Sequence, residues 1–251
     1  DVASADLDGD GNADVLVANR GGEGFDGDPD QTGDLRVFMG RGDGSLEAPM
    51  VVAAGEGTDA LVVDDFNADG IPDVATANAV SNDVSVLLGN GDGTFAPEVR
   101  YAVGDGPTAI VAAEATGDGL ADLFVANMGS DDVSILRSAG NGAFDPAASV
   151  LSFGNAGDMA IADFDQDGEL DIAIVSGFGS FSVRIYPGLG NGTFQSSHSA
   201  SLSTPGAEQV AAADLNGDNA PDILATSDNQ RVLSVFLNDP AAQFLAPVEL
   251  D

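Results

Sequence analysis

The chain has no cysteine, no lysine and no tryptophan, two tyrosines and one histidine. Without cysteine there is no disulfide, no thiolate nucleophile and no sulfur-ligated metal, a pattern compatible with either redox compartment. The only cations are seven arginines, set against 42 acidic residues for a net charge of −35. Neutralising phosphates takes clustered cations, so nucleic acid is excluded as a partner, and an anionic membrane surface is disfavoured for the same reason. No run approaches the roughly 18 apolar residues of a membrane span, so no membrane insertion is expected. No basic signal-peptide start is visible either, and because the chain begins inside a motif, a mature or trimmed product is expected.

Catalytic chemistry is poorly supplied. His198 lies in "QSSHSAS" with no evident partner and reads as a surface residue. With neither lysine nor cysteine, the nucleophiles are hydroxyls without a recognisable base, so no catalytic residue is assigned and an enzyme is not expected. What the chain does have is 43% hydrophobic residues over 251 positions, which is core material rather than the composition of an acidic tail. Such a charge should attract cations, and repel itself when they are removed.

One unit recurs five times. "ADLDGDGNADVLVAN" (5–19) returns as "DDFNADGIPDVATAN" (64–78), "EATGDGLADLFVAN" (114–127), "ADFDQDGELDIAIVS" (162–176) and "ADLNGDNAPDILATS" (213–227). A second motif keeps step: "GRGDGSL" (40–46), "GNGDGTF" (89–95), "AGNGAF" (139–144) and "GLGNGTF" (188–194), with a fifth copy, "NDPAAQF" (238–244), that has lost its glycines. The units run approximately 1–54, 55–103, 104–152, 153–203 and 204–251 of a single domain. Each reads as four short strands, in the second unit 60–64, 73–78, 83–88 and 97–103, joined by Gly, Asn and Asp hairpin signals without a sustained 3.6-residue period.

Repeats of about 40–50 residues with four strands each indicate an all-β propeller of four-stranded antiparallel blades. The chain starts on an inner first strand and ends on an outer fourth strand, which makes five complete blades. An open arc would expose the apolar faces of its end blades, so a closed five-bladed ring is expected. The rival reading is part of a longer, for example seven-bladed, array.

The stretch "DLDGDGNADV" (6–15) starts like an EF-hand, but Val17 stands where the twelfth-position Glu would be, and Asp14 at position 9 leads into a strand. Alternating Asp or Asn at positions 1, 3 and 5, a turn-permitting Gly at 6, a carbonyl at 7 and a carboxylate at 9 direct oxygens at one centre. Hard oxygen donors without His or Cys favour Ca²⁺. The pattern D-x-[DN]-x-D-G-x-x-D before an apolar strand resembles the FG-GAP/VCBS repeats of integrin α-subunit propellers and many bacterial surface proteins. That resemblance covers essentially the whole chain and implies calcium between the first and second strands of each blade.

Carried over loop by loop, the resemblance implies full sites at Asp6, Asp8, Asp10 and Asp14 with the Asn12 carbonyl, and at Asp163, Asp165, Asp167 and Asp171 with the Glu169 carbonyl. Asp65, Asn67, Asp69 and Asp73, with the Ile71 carbonyl, keep three charges. Asp214, Asn216, Asp218 and Asp222, with the Ala220 carbonyl, also keep three; Asn219 replaces the glycine, and Asn tolerates a left-handed conformation. The third loop departs most: Glu114 and Thr116 take positions 1 and 3, leaving Asp118, Asp122 and the Leu120 carbonyl, so it is ranked the weakest of up to five sites.

Other features read as less specific. "RGD" at 41–43 occupies a turn that elsewhere reads "NGD", and "NGT" at 191–193 is a glycosylation sequon by the same accident of the repeat. The first unit is longer in "GGEGFDGDPDQTGD" (21–34), where Asp26, Asp28 and Asp30 alternate as an acidic loop or an extra cation site. Strand parity places the 1–2 and 3–4 hairpins on one face. The diverging 2–3 and 4–1 connections form the other, with Phe25, Phe178 and Phe181, and with Glu56, Asp59, Asp105, Asp158 and Glu208 in or beside the 4–1 connections. That variable face is either a ligand surface or a solvated rim.

The reading is a calcium-stabilised extracellular binding or scaffold module for a protein or glycan ligand, extracellular because millimolar calcium suits such sites. Few aromatics weaken the glycan version. The alternatives are a polysaccharide lyase or hydrolase with an acidic site at the channel mouth, and a self-assembling subunit of a surface complex or filament.

Overall fold

Apolar residues that alternate with small or polar ones, broken every few residues by Gly, Asn or Asp, leave the backbone no option but short strands paired through tight turns. The computed structural model describes residues 1–21, 33–152, 156–176, 182–196, 200–204, 206–227, 230–239 and 243–250, and contains no helix among them. The strands form five four-stranded antiparallel sheets, each paired in sequence order apart from a small ribbon inserted in the fifth.

The first sheet comprises Val2–Ala5, Asp14–Asn19, Asp34–Phe38 and Met50–Val52, and the second Thr58–Asp64, Asp73–Asn78, Asp83–Leu87 and Val99–Ala102. Pro107–Ala113, Asp122–Asn127, Asp132–Leu136 and Ala148–Ser152 make the third. The fourth is Ala156–Ala162, Asp171–Ser176, Ser182–Tyr186 and Ala200–Ser203. The fifth is Ala207–Ala213, Asp222–Ser227, Val232–Phe236 and Val248–Leu250. The expected strands of the second unit thus differ from the observed ones only at their ends. Val2–Ala5 is an inner first strand and Val248–Leu250 an outer fourth strand, as read from the sequence.

The sheets stack as propeller blades. First strands of successive sheets lie side by side, and their small residues permit the close approach. Four apolar clusters fill the spaces between blades one and two, two and three, three and four, and four and five. In each, one blade presents alternate residues of one face, such as Ala173, Val175, Val183 and Ile185, against the opposite alternation of the next, such as Val210, Ile223, Ala225 and Phe236. Every interior sheet is therefore buried on both faces, which is why Val74 and Ala75, adjacent in sequence, are both fully buried. Closure into the expected ring is not detected: no cluster among the described residues joins the fifth blade to the first.

A polar knot ends the second strands of the second and third blades on the face of the 2–3 connections. Asn78 donates to Asp83 Oδ1 (2.9 Å) and Ser85 Oγ (3.0 Å), and its Oδ1 accepts from the hydroxyls of Thr58 (3.2 Å) and Thr76 (3.1 Å). Asn127 repeats the donor half with Asp132 and Ser134. Pro107 and Val125 stand where the two threonines would be, and Asn127 Oδ1 is buried without a hydrogen-bond partner. Val125→Thr should restore one donor in nearly the same volume and stabilise the protein by about 1 kcal/mol. A higher denaturation midpoint is the expected result, and a lower one would mean that the oxygen is already satisfied.

Candidate metal-binding loops

Each loop between first and second strands is built on its own backbone amides. The position-1 carboxylate reaches across the turn: Asp6 accepts from Gly9 N (2.8 Å) and Gly11 N (2.9 Å), and Asp65 from Asp69 N (3.1 Å) and Gly70 N (2.8 Å). Asp163 does the same with Asp167 and Gly168, and Asp214 with Gly217 and Asn219. These bonds hold the Asp214 carboxyl below its ordinary range. Position 3 accepts from the amide of position 5, and position 5 from that of position 7, as in Asp165 with Asp167 N and Asp167 with Glu169 N.

Position 6 is left-handed throughout, including Asn219 at φ 66°, a conformation that Asn tolerates in place of glycine. Position 4 is left-handed as well, which the motif does not announce. Gly9, Gly117 and Gly217 adopt it freely, but Ala68 (φ 59°) and Gln166 (φ 60°) do so against the steric preference of a Cβ.

The third loop departs in structure as it does in sequence. Glu114 Oε1 accepts from Thr116 N (2.9 Å), Gly117 N (2.6 Å) and Asp118 N (3.3 Å), so the longer side chain folds over the first part of the turn. Position 5 keeps its usual bond, Leu120 N donating to Asp118 Oδ1.

Carboxylate oxygens of Asp6, Asp8 and Asp14, and of Asp163, Asp165 and Asp171, lie within 4.8 Å of one another. These acidic clusters could each hold a metal ion, and the all-oxygen donor set fits a hard cation. Position 5 is not part of either cluster: Asp10 and Asp167 turn toward the amides of Asn12 and Glu169. In the second and fifth loops Asn67 and Asn216 occupy position 3, and their amide oxygens accept from Asp69 N and Asp218 N.

Position 9 has a second task that the sequence did not reveal. In every blade its Oδ2 accepts from the amide of position 2, and its Oδ1 from the amide that opens the 3–4 turn. The pairs are Leu7 and Gly40 on Asp14, Phe66 and Gly89 on Asp73, Ala115 and Ser138 on Asp122, Phe164 and Gly188 on Asp171, and Leu215 and Asn238 on Asp222. All five carboxylates are buried. Asp171 Oδ2 accepts a second amide, Asp165 N (3.3 Å), but each clamp carboxylate keeps a further lone pair on Oδ1, so the clamp does not prevent metal ligation.

Burial pushes Asp171 up to about 6, with Asp165 adding to the rise while the bonds from Gly188 and Phe164 oppose it. Desolvation likewise raises Asp73 and Asp122.

The clamp brings the 3–4 turns onto the loop face, as strand parity required. The RGD segment is one of those turns: Asp43 Oδ1 accepts from Ser45 Oγ (2.6 Å) and N (2.9 Å), holding its carboxyl low, as Asp92 does with Thr94. Arg41 lies 3.3 Å from Glu47. Asn191 of the sequon caps Thr193 in the same way.

On the opposite face Asp59 pairs with Arg20 (3.4 Å), Asp105 accepts from Asn82 (3.3 Å), and Asp158 accepts from Val210 N across the blade boundary (2.9 Å). Burial raises Asp59 and Asp158. Glu56 and Glu208 are exposed. Phe25, Asp26, Asp28, Asp30, Phe178, Phe181 and His198 lie outside the described residues.

The FG-GAP-like repeat model matches residues 6–76, 65–125, 115–174 and 163–225, each match running from one acidic loop into the second strand of the next blade. The chain belongs to the FG-GAP repeat family. No curated protein sequence is significantly similar to it.

Among solved structures, this FG-GAP chain is similar to the V. cholerae biofilm matrix protein Bap1, with a TM-score of 0.54 and 17% identity over 97% of this chain and 39% of that one. It spans well under half of Bap1, and the likeness is one of fold. A lectin of Agrocybe aegerita, described as recognising non-reducing terminal N-acetylglucosamine, is also similar, with a TM-score of 0.48 and 19% identity over 99% of this chain and 79% of that one.

Two outcomes test the clamp. Asp122→Ala, in the loop that departs most from the repeat pattern, should cost about 3 kcal/mol or more even in chelator, because it orphans two amides from a charged acceptor. Urea denaturation in EGTA measures this, and an unchanged midpoint would remove the clamp from the argument. The second outcome concerns pH. A folded-state carboxyl at about 6 takes up a proton that the unfolded chain, titrating near 4, does not, so stability falls as pH rises through that window. The net charge acts in the same direction. In protein freed of metal and held in calcium-free buffer, the melting temperature should therefore be higher at about pH 5 than at about pH 7.5.

Proposed function

We propose that this FG-GAP protein is a calcium-stabilised extracellular binding or scaffold module, working by recognition and not by turnover. The observation that carries the reading is the convergence of Asp6, Asp8 and Asp14, and of Asp163, Asp165 and Asp171, in loops whose repeat pattern is that of the family. At an effective dielectric near 20, each like-charge pair at ~4 Å costs up to ~4 kcal/mol, which a divalent cation converts into attraction. Oxygen-only donors and a flexible loop suit calcium over magnesium, which demands near-ideal octahedral geometry.

In this reading Asp10, Asp69, Asp118, Asp167 and Asp218 exchange their amide bonds for the metal, and the carbonyls of Asn12, Ile71, Leu120, Glu169 and Ala220 complete the shell. Calcium is then part of the skeleton. At 100-fold excess over Kd each site adds roughly 2.7 kcal/mol, so several sites rival the whole stability of an ordinary domain. Sites of this kind fill in millimolar calcium outside cells, which supports an extracellular or cell-surface placement.

Recognition of a protein or glycan ligand falls to the opposite face, where the connections differ from blade to blade while the loop face repeats. EGTA should lower the melting temperature sharply, and an unchanged melting curve would defeat the calcium reading. Arrays of glycans and proteins probed in calcium, with EGTA controls, test recognition. Sustained polysaccharide cleavage by the purified chain would overturn it in favour of an enzyme.

A further inference from the structure

Where one blade meets the next, the 3–4 turn of the later blade donates to position 2 of the earlier blade's acidic loop. Gly93 N donates to Leu7 O (3.3 Å), Gly142 N to Phe66 O (3.1 Å) and Gly192 N to Ala115 O (2.8 Å). Between the fourth and fifth blades the donor is a side chain instead. Asn238, only 4% exposed, donates from Nδ2 to Phe164 O (2.7 Å).

The same residue opens the 3–4 turn of its own blade, where its backbone amide is clamped by Asp222 Oδ1 (2.8 Å). In three other blades glycine holds this place, because a Cβ at Gly40, Gly89 or Gly188 would run into the carbonyl of Ala13, Pro72 or Leu170. The fifth turn, "NDPAAQF", departs from that pattern and admits a side chain. In the second, third and fourth blades the clamped amide and the boundary amide belong to different residues: Gly89 and Gly93, Ser138 and Gly142, Gly188 and Gly192. In the fifth, one asparagine makes both bonds.

Its acceptor lies inside the fourth loop. The Phe164 carbonyl and the Asp165 amide are two ends of one planar peptide unit, and Asp165 N donates to Asp171 Oδ2 (3.3 Å). A continuous hydrogen-bond path therefore joins two ninth-position carboxylates: Asp222 to Asn238, Asn238 to the 164–165 peptide, and that peptide to Asp171. Hydrogen bonds in such a chain polarise one another, so donation to the carbonyl strengthens the amide at the far end. The peptide also lies between Asp163 and Asp165, two members of the fourth acidic cluster. A second contact spans the same loops, from Gln166 Nε2 to Asn219 O (3.4 Å), and Phe244 packs on Phe164 with ring centroids 6.1 Å apart.

The structure assigns Asn238 the role of a positioning residue that couples the fourth and fifth cation loops, so that an ion in either strengthens binding in the other. This coupling rests on the calcium reading of the loops. An ion held by Asp222 fixes that carboxylate, and through Asn238 it fixes the backbone between Asp163 and Asp165. Ordering of the shared backbone is then complete before the second ion arrives, which binds without that cost. By linkage the effect is reciprocal. The fourth loop has Asp165 at position 3 where the fifth has Asn216, so the fourth fills first and raises the affinity of the fifth.

Nuclear magnetic resonance of the isotope-labelled chain, titrated with calcium, resolves the two loops. Gly168 N and Gly217 N each donate to the position-1 carboxylate of their own loop, so their signals report the fourth and fifth sites separately. Asp165→Ala removes a carboxylate from the fourth loop and keeps the backbone amide of the path. It should raise the calcium midpoint at Gly217 by about fivefold or more. Asn238→Ala keeps the clamped amide and removes only the side-chain donor, and in that background Asp165→Ala should not raise the Gly217 midpoint. Direct repulsion between the two ions is common to both backgrounds and cancels in the comparison. The first arm needs no change at Asn238: an unmoved Gly217 midpoint in Asp165→Ala alone would overturn the coupling. An equal shift with and without Asn238 would remove Asn238 from it. Signals at both glycines that ignore calcium would defeat the calcium reading together with the coupling, whereas two loops that fill without linkage defeat the coupling alone.

Discussion

One buried carboxylate per blade sets the rest of the structure. Asp14, Asp73, Asp122, Asp171 and Asp222 each begin a second strand, and each fastens the exit of the first strand and the start of the 3–4 turn to that point. A side chain that neutralised its charge by protonation alone would leave its oxygens facing buried amides less favourably. The amides keep it useful as an anion, while burial raises the cost of ionisation, and the balance at Asp171 lies near neutrality. A cation in the loop shifts that balance toward the ionised form. In the proposed calcium reading, folding and metal binding would be joined in one group, since the carboxylate that clamps the backbone would also be the last donor of the loop.

From the clamp follows the boundary between blades. Because the 3–4 turn is tied to its own acidic loop, it is held where it can also reach the loop of the preceding blade, as Gly93 does with Leu7 and Gly142 with Phe66. The loop face is therefore a continuous layer in which one loop's geometry supports the next. The opposite face has no such common device. Its polar knots differ in detail, complete at Asn78 and lacking the two acceptor-side donors at Asn127. Function that varies between related chains has room there, whereas change on the loop face disturbs two blades at once.

The stacking of equivalent sheets is also a liability. A blade is stable because both faces are buried, and stacking five of them buries only the faces between neighbours. The first and last faces keep the composition of interior faces. Solenoids solve this with polar capping units, and propellers by closing the circle. Closure is not detected among the described residues, where Val2, Leu46, Leu215 and Leu250 are exposed.

The blade plan was legible in the sequence because its signals are local. Period-two alternation, the 49- to 59-residue spacing of Asp6, Asp65, Glu114, Asp163 and Asp214, and the Gly and Asn turns each act over a few residues. The departure of the third loop was legible for the same reason: replacing Asp by Glu114 changes the reach of one side chain, and the turn around it changes accordingly. The double bond of each ninth-position carboxylate was not legible. Its second partner, such as Gly40 for Asp14, is 26 residues away and is defined only once the third strand has folded back. Asn238 taking over from a missing glycine is equally invisible, because a side-chain donor reaches an acceptor 74 residues earlier only after two blades are stacked. The sequence by itself determined which segments become strands and where acidic side chains gather, since backbone preference and charge spacing are properties of neighbours. Tertiary structure alone decided which faces are covered and which are left open, since burial depends on where separate blades come to rest.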